Sequence, residues 1–178
     1  MEIKRADQTN FRRDSLKEFC RYQEVKNVYR LKDGQMTLVY APFIEDWDAA
    51  RRAEKAEEIL SGRFITYCAF EGERVVGEIM LLPLLDRGRL IIDSFHVSGD
   101  HRRRGIGRAL FEAAVREALK RGAHALYASC CPAEETIGFY TAMGFRLSSA
   151  PIPSRAEDEP YDLQMECPLS FVHFKTRQ

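Results

Sequence analysis

Leu90-Ile91-Ile92-Asp93-Ser94-Phe95-His96-Val97 is followed, after Ser98-Gly99-Asp100-His101, by Arg102-Arg103-Arg104-Gly105-Ile106-Gly107-Arg108-Ala109-Leu110. The first run is apolar and β-branched, as a buried strand requires, and the second opens a well-patterned helix. Two glycines spaced G-x-G and flanked by arginines therefore sit where a strand turns into a helix. At such a turn several main-chain N–H groups have no intrahelical acceptor and lie at the positive end of the helix dipole, which suits a phosphate or pyrophosphate. Glycine lets a ligand approach the main chain because no Cβ intervenes. Arginine adds planar, charge-assisted donors. Leu110 stands where a dinucleotide fingerprint would have its third glycine, which disfavours that kind of site.

Working outward, the pattern predicts a helix from Arg104 to Lys120, with Leu110, Phe111, Ala114, Val115, Ala118 and Leu119 on one apolar stripe. Ala123 to Ser129 reads as a strand, Pro132 to Ala142 as a helix, and Phe145–Leu147 and Tyr161–Leu169 as strands. Ser148 to Pro160, rich in proline and acids, reads as a surface loop. Upstream, Phe64–Phe70 and Val75–Leu82 form a hairpin about Glu71-Gly72-Glu73. Val25 to Phe43 forms another about Asp33-Gly34, and Ile44 to Leu60 a helix with Asp46 as its cap. Met1–Arg5 begins the chain as a strand, with Asp7, Thr9 or Asn10 capping the segment after it. Hairpins first, then strand–helix–strand–helix–strand, make one α/β domain over residues 1–178 with a mixed sheet.

Composition bounds the function. With 178 residues the chain holds one sizeable core, and its 27 basic and 27 acidic residues point to neither nucleic acid nor an acidic membrane. The five cysteines (Cys20, Cys68, Cys130, Cys131, Cys167) are odd in number and show no metal-ligand spacing, which fits reduced thiols. The first residues lack an apolar signal region, so the expected location is the cytoplasm.

With these elements in place, the chain resembles the GNAT acyltransferases. That family carries Gln or Arg, then two residues, Gly, one residue, and Gly or Ala after a strand; here Arg102, Gly105 and Gly107 fill those places. A second landmark, Phe or Leu, Tyr, three residues, Gly and Phe, is met by Phe139, Tyr140, Gly144 and Phe145. The two lie apart by one helix and one strand, and the similarity runs from about Phe64 to Cys167. Three positions depart from the family pattern: Gly99 replaces a frequent Pro, Arg103 a Gly, and Ala133 an Asn that contacts pantetheine. The resemblance implies a single-domain, mostly antiparallel mixed sheet with helices on both faces.

It also implies acetyl-CoA as acyl donor. The main chains of Arg102, Arg103, Arg104, Gly105, Ile106, Gly107 and Arg108 would bind its pyrophosphate. Those of Phe95, His96 and Val97 would hold the pantetheine arm and thioester. Tyr140 would protonate the departing thiolate, a task suited to a phenol that stays protonated at neutral pH. Asp93, a charge inside an apolar strand, is the candidate base. Period-two alternation puts it on the face of Ile91 and Phe95, and puts Ser94 and His96 on the other; the His96 side chain reads as a half-buried strand residue. The region 20–62, outside the resemblance, would shape the acceptor site, with Glu24, Tyr29, Tyr40, Glu45, Asp46 and Trp47 as lining candidates for a cationic amine. Cys130 and Cys131 read as buried strand-end residues and not as nucleophiles. The expected activity is direct transfer of acetyl from acetyl-CoA to a small primary amine, without metal. A peptide or protein acceptor, and a binding module without chemistry, are the alternatives. A homodimer is left open, and residues 170–178 read as a C-terminal tail.

Overall fold

Near-continuous apolar runs build the central strands of a seven-stranded sheet in the computed structural model, which describes residues 1–171. Its strands are β1 (Glu2–Arg5), β4 (Ile65–Glu71), β5 (Arg74–Leu81), β6 (Arg89–Val97), β7 (Ala125–Cys130), β9 (Leu163–Pro168) and β8 (Arg146–Leu147), in that spatial order. All neighbours are antiparallel except β6 and β7. That parallel pair needs a crossover, which α2 (Ile106–Lys120) supplies. A separate two-stranded sheet is formed by β2 (Gln23–Lys32) and β3 (Gln35–Glu45), turning through Asp33 and Gly34, both with positive φ. The mixed, mostly antiparallel sheet with helices on both faces is the expected one.

One face of the sheet packs on α2 and α3 (Glu134–Ala142) through Ile79, Leu81, Leu90, Ile92, Leu110, Phe111, Leu126 and Met165. Helix α2 lies close to β5 because residue 77 is glycine: a Cβ there would stand 2.8 Å from Leu110 and 3.0 Å from Ile106. The other face carries α1 (Ala49–Leu60) and the turns of residues 11–19, with Phe11, Leu16, Phe19, Ala56 and Ile59 on Cys68, Phe70 and Met80. No helix of the described residues is long and apolar enough to cross a membrane.

Several local expectations are corrected. Asp7 accepts from Thr9 N–H at 2.8 Å, and the segment after β1 continues as turns, since Asx-type bonding competes with helix nucleation. Ile44 and Glu45 stay in β3; α1 starts at Ala49, capped by Asp48, whose Oδ1 accepts from Arg51 N–H at 2.7 Å, and not by Asp46. The loop of residues 148–160 contains a short helix, α4 (Pro153–Asp158), whose proline sits at the first turn. Leu119 is exposed instead of lining the α2 stripe. Of the tail 170–178, the described part ends a short 3-10 turn, Leu169–Phe171, and the rest lies outside the described residues.

Candidate acetyl-transfer site

The register of β6 creates the site. Its ladder with β7 runs from Arg89↔Ala125 to Ile92↔Ala128 and then stops, although both strands continue. On the other side, Leu81 pairs with Ile92 and Met80 with Ser94, which leaves Asp93 as an extra, bulged residue. From there β6 follows β5 and diverges from β7. The bulge also resets the alternation. Phe95 packs on the α2 side with Ile92, not with Ile91 as simple period-two counting predicts, while Ser94 and His96 share the α1 side as expected.

The open edge of β6 presents donors. Ser98 N–H donates to the Val76 carbonyl at 2.9 Å, and in an antiparallel ladder the N–H groups of Val97 and Phe95 then turn away from β5, into the gap. After β6, Ser98 and a 3-10 turn, Gly99–His101, lead the chain into the arginine–glycine turn. The first N–H of α2 to reach a main-chain acceptor belongs to Ala109, on Gly105 O at 3.1 Å; among the described residues those of Arg103 to Arg108 have none. Gly105 caps the helix at φ +82°, and nothing lies within 4 Å of where its Cβ would be. Arg103 also adopts positive φ, +63°, a conformation that explains why glycine is the family's choice there. Gly107 serves another purpose than expected: its missing Cβ leaves room for the Phe139 ring, 3.0 Å away, so it joins α2 to α3. Arg102 and Arg104 are partly engaged, by Val97 O at 3.3 Å and Glu71 at 2.8 Å.

A groove of about 1790 Å³ runs from this turn, past the open edge, to the α1 side of the sheet. Tyr140, from α3, lines it at the gap and is 7% exposed, edge-on to Phe95, Phe139 and Phe145. Burial pushes its phenol well above the usual tyrosine range, so it remains protonated. Asp93 also lines the groove, its Oδ1 accepting from Arg155 of α4 at 2.8 Å. Cys131 faces the groove with its thiol pushed up to about 11 by burial, and Cys130 is raised in the same way. Neither offers a thiolate at neutral pH.

The hairpin β2–β3 is pinned across the end of β7: Tyr29 N–H donates to Pro132 O at 2.8 Å, and Asn27 Nδ2 to Glu134 at 2.8 Å. Glu24, Glu45, Asp46 and Trp47 consequently wall the groove, whereas Tyr29 and Tyr40 do not line it. Contributors that escaped the sequence reading include Arg21, Lys55, Arg155 and Asp162. Arg21 pairs with Glu45, Lys55 with Glu58 and Arg155 with Asp93. Among the described residues Asp162 has no cation beside it; burial, then Glu159 and Glu45, push its carboxyl up to about 7. A further residue, Glu78, lies wholly buried behind the groove. It carries the signal that singled out Asp93, a lone acid in an apolar strand (Val75 to Leu81), which could have found it. Among the described residues no group of three or more His, Cys, Asp or Glu could hold a metal ion.

The whole fold is shared with known proteins. Nourseothricin acetyltransferase matches with a TM-score of 0.72 and 19% identity, over 94% of this chain and 98% of that one. A putative streptothricin acetyltransferase from Bacillus anthracis, solved with acetyl coenzyme A, matches at 0.70 and 14%, over 94% and 97%. The ribosomal-protein-S18-alanine N-acetyltransferase from Escherichia coli matches at 0.52 and 18%, over 75% and 84%. A search of curated protein sequences returns no match. The sequence itself matches the Acetyltransferase (GNAT) family from residue 27 to residue 145, a span that takes in the hairpin, the splayed strands, the arginine–glycine turn and Tyr140. That match, over more than half of the chain, makes this protein an enzyme of the GNAT acetyltransferase family.

Proposed function

We propose that the protein transfers acetyl from acetyl-CoA to a primary amine of a small, cationic molecule by direct attack. The observation that carries the acceptor assignment is the hairpin pinned over the end of β7, which walls the α1 side of the groove with acids and an indole. There Arg21, Arg51, Lys55 and Arg155 are each engaged by a carboxylate, while among the described residues Asp162 keeps no cationic partner. An arriving ammonium group would supply that missing charge. The walls favour a compact acceptor over an extended peptide.

The donor end fits acetyl-CoA on this chain's own geometry. The free N–H groups of residues 103–108 and the open space over Gly105 suit the pyrophosphate. The unpaired edge of β6 suits the amide-bearing pantetheine arm, as an added strand would. Bound acetyl-CoA supplies a thioester carbonyl. In this reading the Val97 N–H would support the oxygen as negative charge develops there, and Tyr140 would return a proton to the departing sulfur. Asp93 can reach an amine as base only where Arg155 releases the carboxylate oxygen that it now holds.

The test is free-thiol release from acetyl-CoA over a panel of polyamines, aminoglycosides and peptides with free amino termini. Turnover of compact polyamines or aminoglycosides at kcat/KM at least tenfold above any peptide is expected. Preference for peptides would reverse the acceptor assignment. Thermal stabilisation by acetyl-CoA with no turnover of any amine would show a binding module instead.

A further inference from the structure

Strand β6 carries two titratable side chains toward the groove, Asp93 and His96, and they stand in different surroundings. Asp93 is occupied by Arg155. His96 projects on the α1 side, where its Nδ1 lies 2.7 Å from Oε1 of Glu78 on β5, its cross-strand partner. Ser94 Oγ donates to the same Oε1 at 2.8 Å. A carboxylate oxygen only accepts, and Ser94 Oγ, 3.2 Å from Nδ1, already spends its hydrogen on Glu78, so Nδ1 is the donor and the proton of a neutral imidazole sits there. The Nε2 lone pair is then free, no partner holds it among the described residues, and the ring lines the groove. Trp47 meets the ring edge-on at 4.8 Å and limits its rotation. Glu78 is 0% exposed; its Oε1 is held by Ser94 and His96 of β6, and among the described residues its Oε2 has no partner.

We propose that His96 is the general base of the acetyl transfer, accepting the amine proton at Nε2, and that Glu78 is a positioning residue that fixes its tautomer. This rests on the acetyltransferase reading above. As the nitrogen–carbon bond forms and the carbon–sulfur bond breaks, one N–H proton passes to His96 Nε2. The Tyr140 proton passes to sulfur; His96 then loses its proton to water and Tyr140 regains one, so no other reactant is consumed. The charges facing the ring are Glu78 from β5, Arg21 from the segment before β2 and Lys55 from α1. Burial together with those two cations outweighs Glu78 and holds the imidazole below its usual range, so it is neutral and ready to accept a proton at pH 7.

The decisive experiment compares pH profiles of kcat/KM for wild type, His96→Gln and Asp93→Asn, using whichever of spermidine, histamine or kanamycin turns over fastest. His96→Gln is expected to lose about 10²–10⁴-fold at neutral pH and to recover partly at high pH, as typical for a missing base. His96→Ala should regain activity with added imidazole, which a structural defect would not. Glu78→Gln should lower kcat while leaving acetyl-CoA affinity within about threefold of wild type, because it acts through the ring. Long-range ¹H–¹⁵N spectra of the wild-type protein should show the Nδ1–H tautomer, a readout that needs no variant to fold. Wild-type kcat/KM and an unchanged acidic limb in a folded His96→Gln protein, or an Nε2–H tautomer, would overturn the assignment while the acetyltransferase reading stands. No acetylation of any amine by the wild type would sink the reading itself, and this assignment with it.

Discussion

Tyr140 shows how a residue acquires its chemistry from its packing. Three aromatic neighbours exclude water from its ring, and that burial keeps the hydroxyl protonated through the whole range in which an amine can attack. Tyr140→Phe keeps the ring and removes the donor. Turnover is expected to fall about 10²–10⁴-fold with acetyl-CoA affinity nearly unchanged, measured as kcat against the midpoint of a thermal-shift titration. Unchanged turnover on a substrate limited by chemistry would mean that water protonates the sulfur. The motif around Tyr140 was legible in sequence, and so was the anomaly of Asp93. The Arg155 partner was not, because it comes from a short helix 62 residues away whose proline- and acid-rich sequence reads as loop.

At the scale of elements, the start of α2 does two jobs with two glycines. Gly105 holds a left-handed turn open over the proposed pyrophosphate site, whereas Gly107 lets Phe139 of α3 approach. Their substitutions should therefore fail differently. Gly107→Val should destabilise the fold by about 1–3 kcal/mol through overpacking against Phe139, seen as a lower denaturation midpoint. Gly105→Val should instead weaken acetyl-CoA binding in excess of any change in stability, read by calorimetric titration of protein shown to be folded. Equal loss of binding at equal stability in both would contradict this division. Spacing in the sequence marks both glycines alike, since only the packed helix pair reveals which one faces a side chain and which faces open space.

For the molecule as a whole, charge in the groove ties acceptor binding to pH. Asp162, pushed up to about 7, is a carboxylate mainly above that pH. The KM of a cationic acceptor should accordingly fall as pH rises through about 7, and Asp162→Asn should flatten that change. The sign for stability is opposite. A carboxyl whose folded value lies above its unfolded one favours folding only in its protonated form, a benefit complete below the unfolded value of 3.8 and lost as pH rises through about 7. Asp162→Asn should thus gain in melting temperature over wild type increasingly from about pH 4 to about pH 8, while binding the acceptor less well. A constant difference across that range would show that Asp162 is not a buried, unneutralised acid.

By itself the sequence determined the family, the order of the strands and main helices and the arginine–glycine turn for which we propose phosphate binding. Each of these depends on residues close together along the chain: period-two and helical alternation, a glycine turn, a cap. The tertiary structure alone decided which side chains share the groove. The bulge at Asp93 reset the alternation that sequence counting assumed, and the unpaired end of the β6–β7 ladder opened the gap. Cross-strand register placed Glu78 behind His96, and the folding back of α4 gave Asp93 its arginine. Register, bulges and loop return are set by the summed burial of long-range contacts, and no local window of sequence contains that sum.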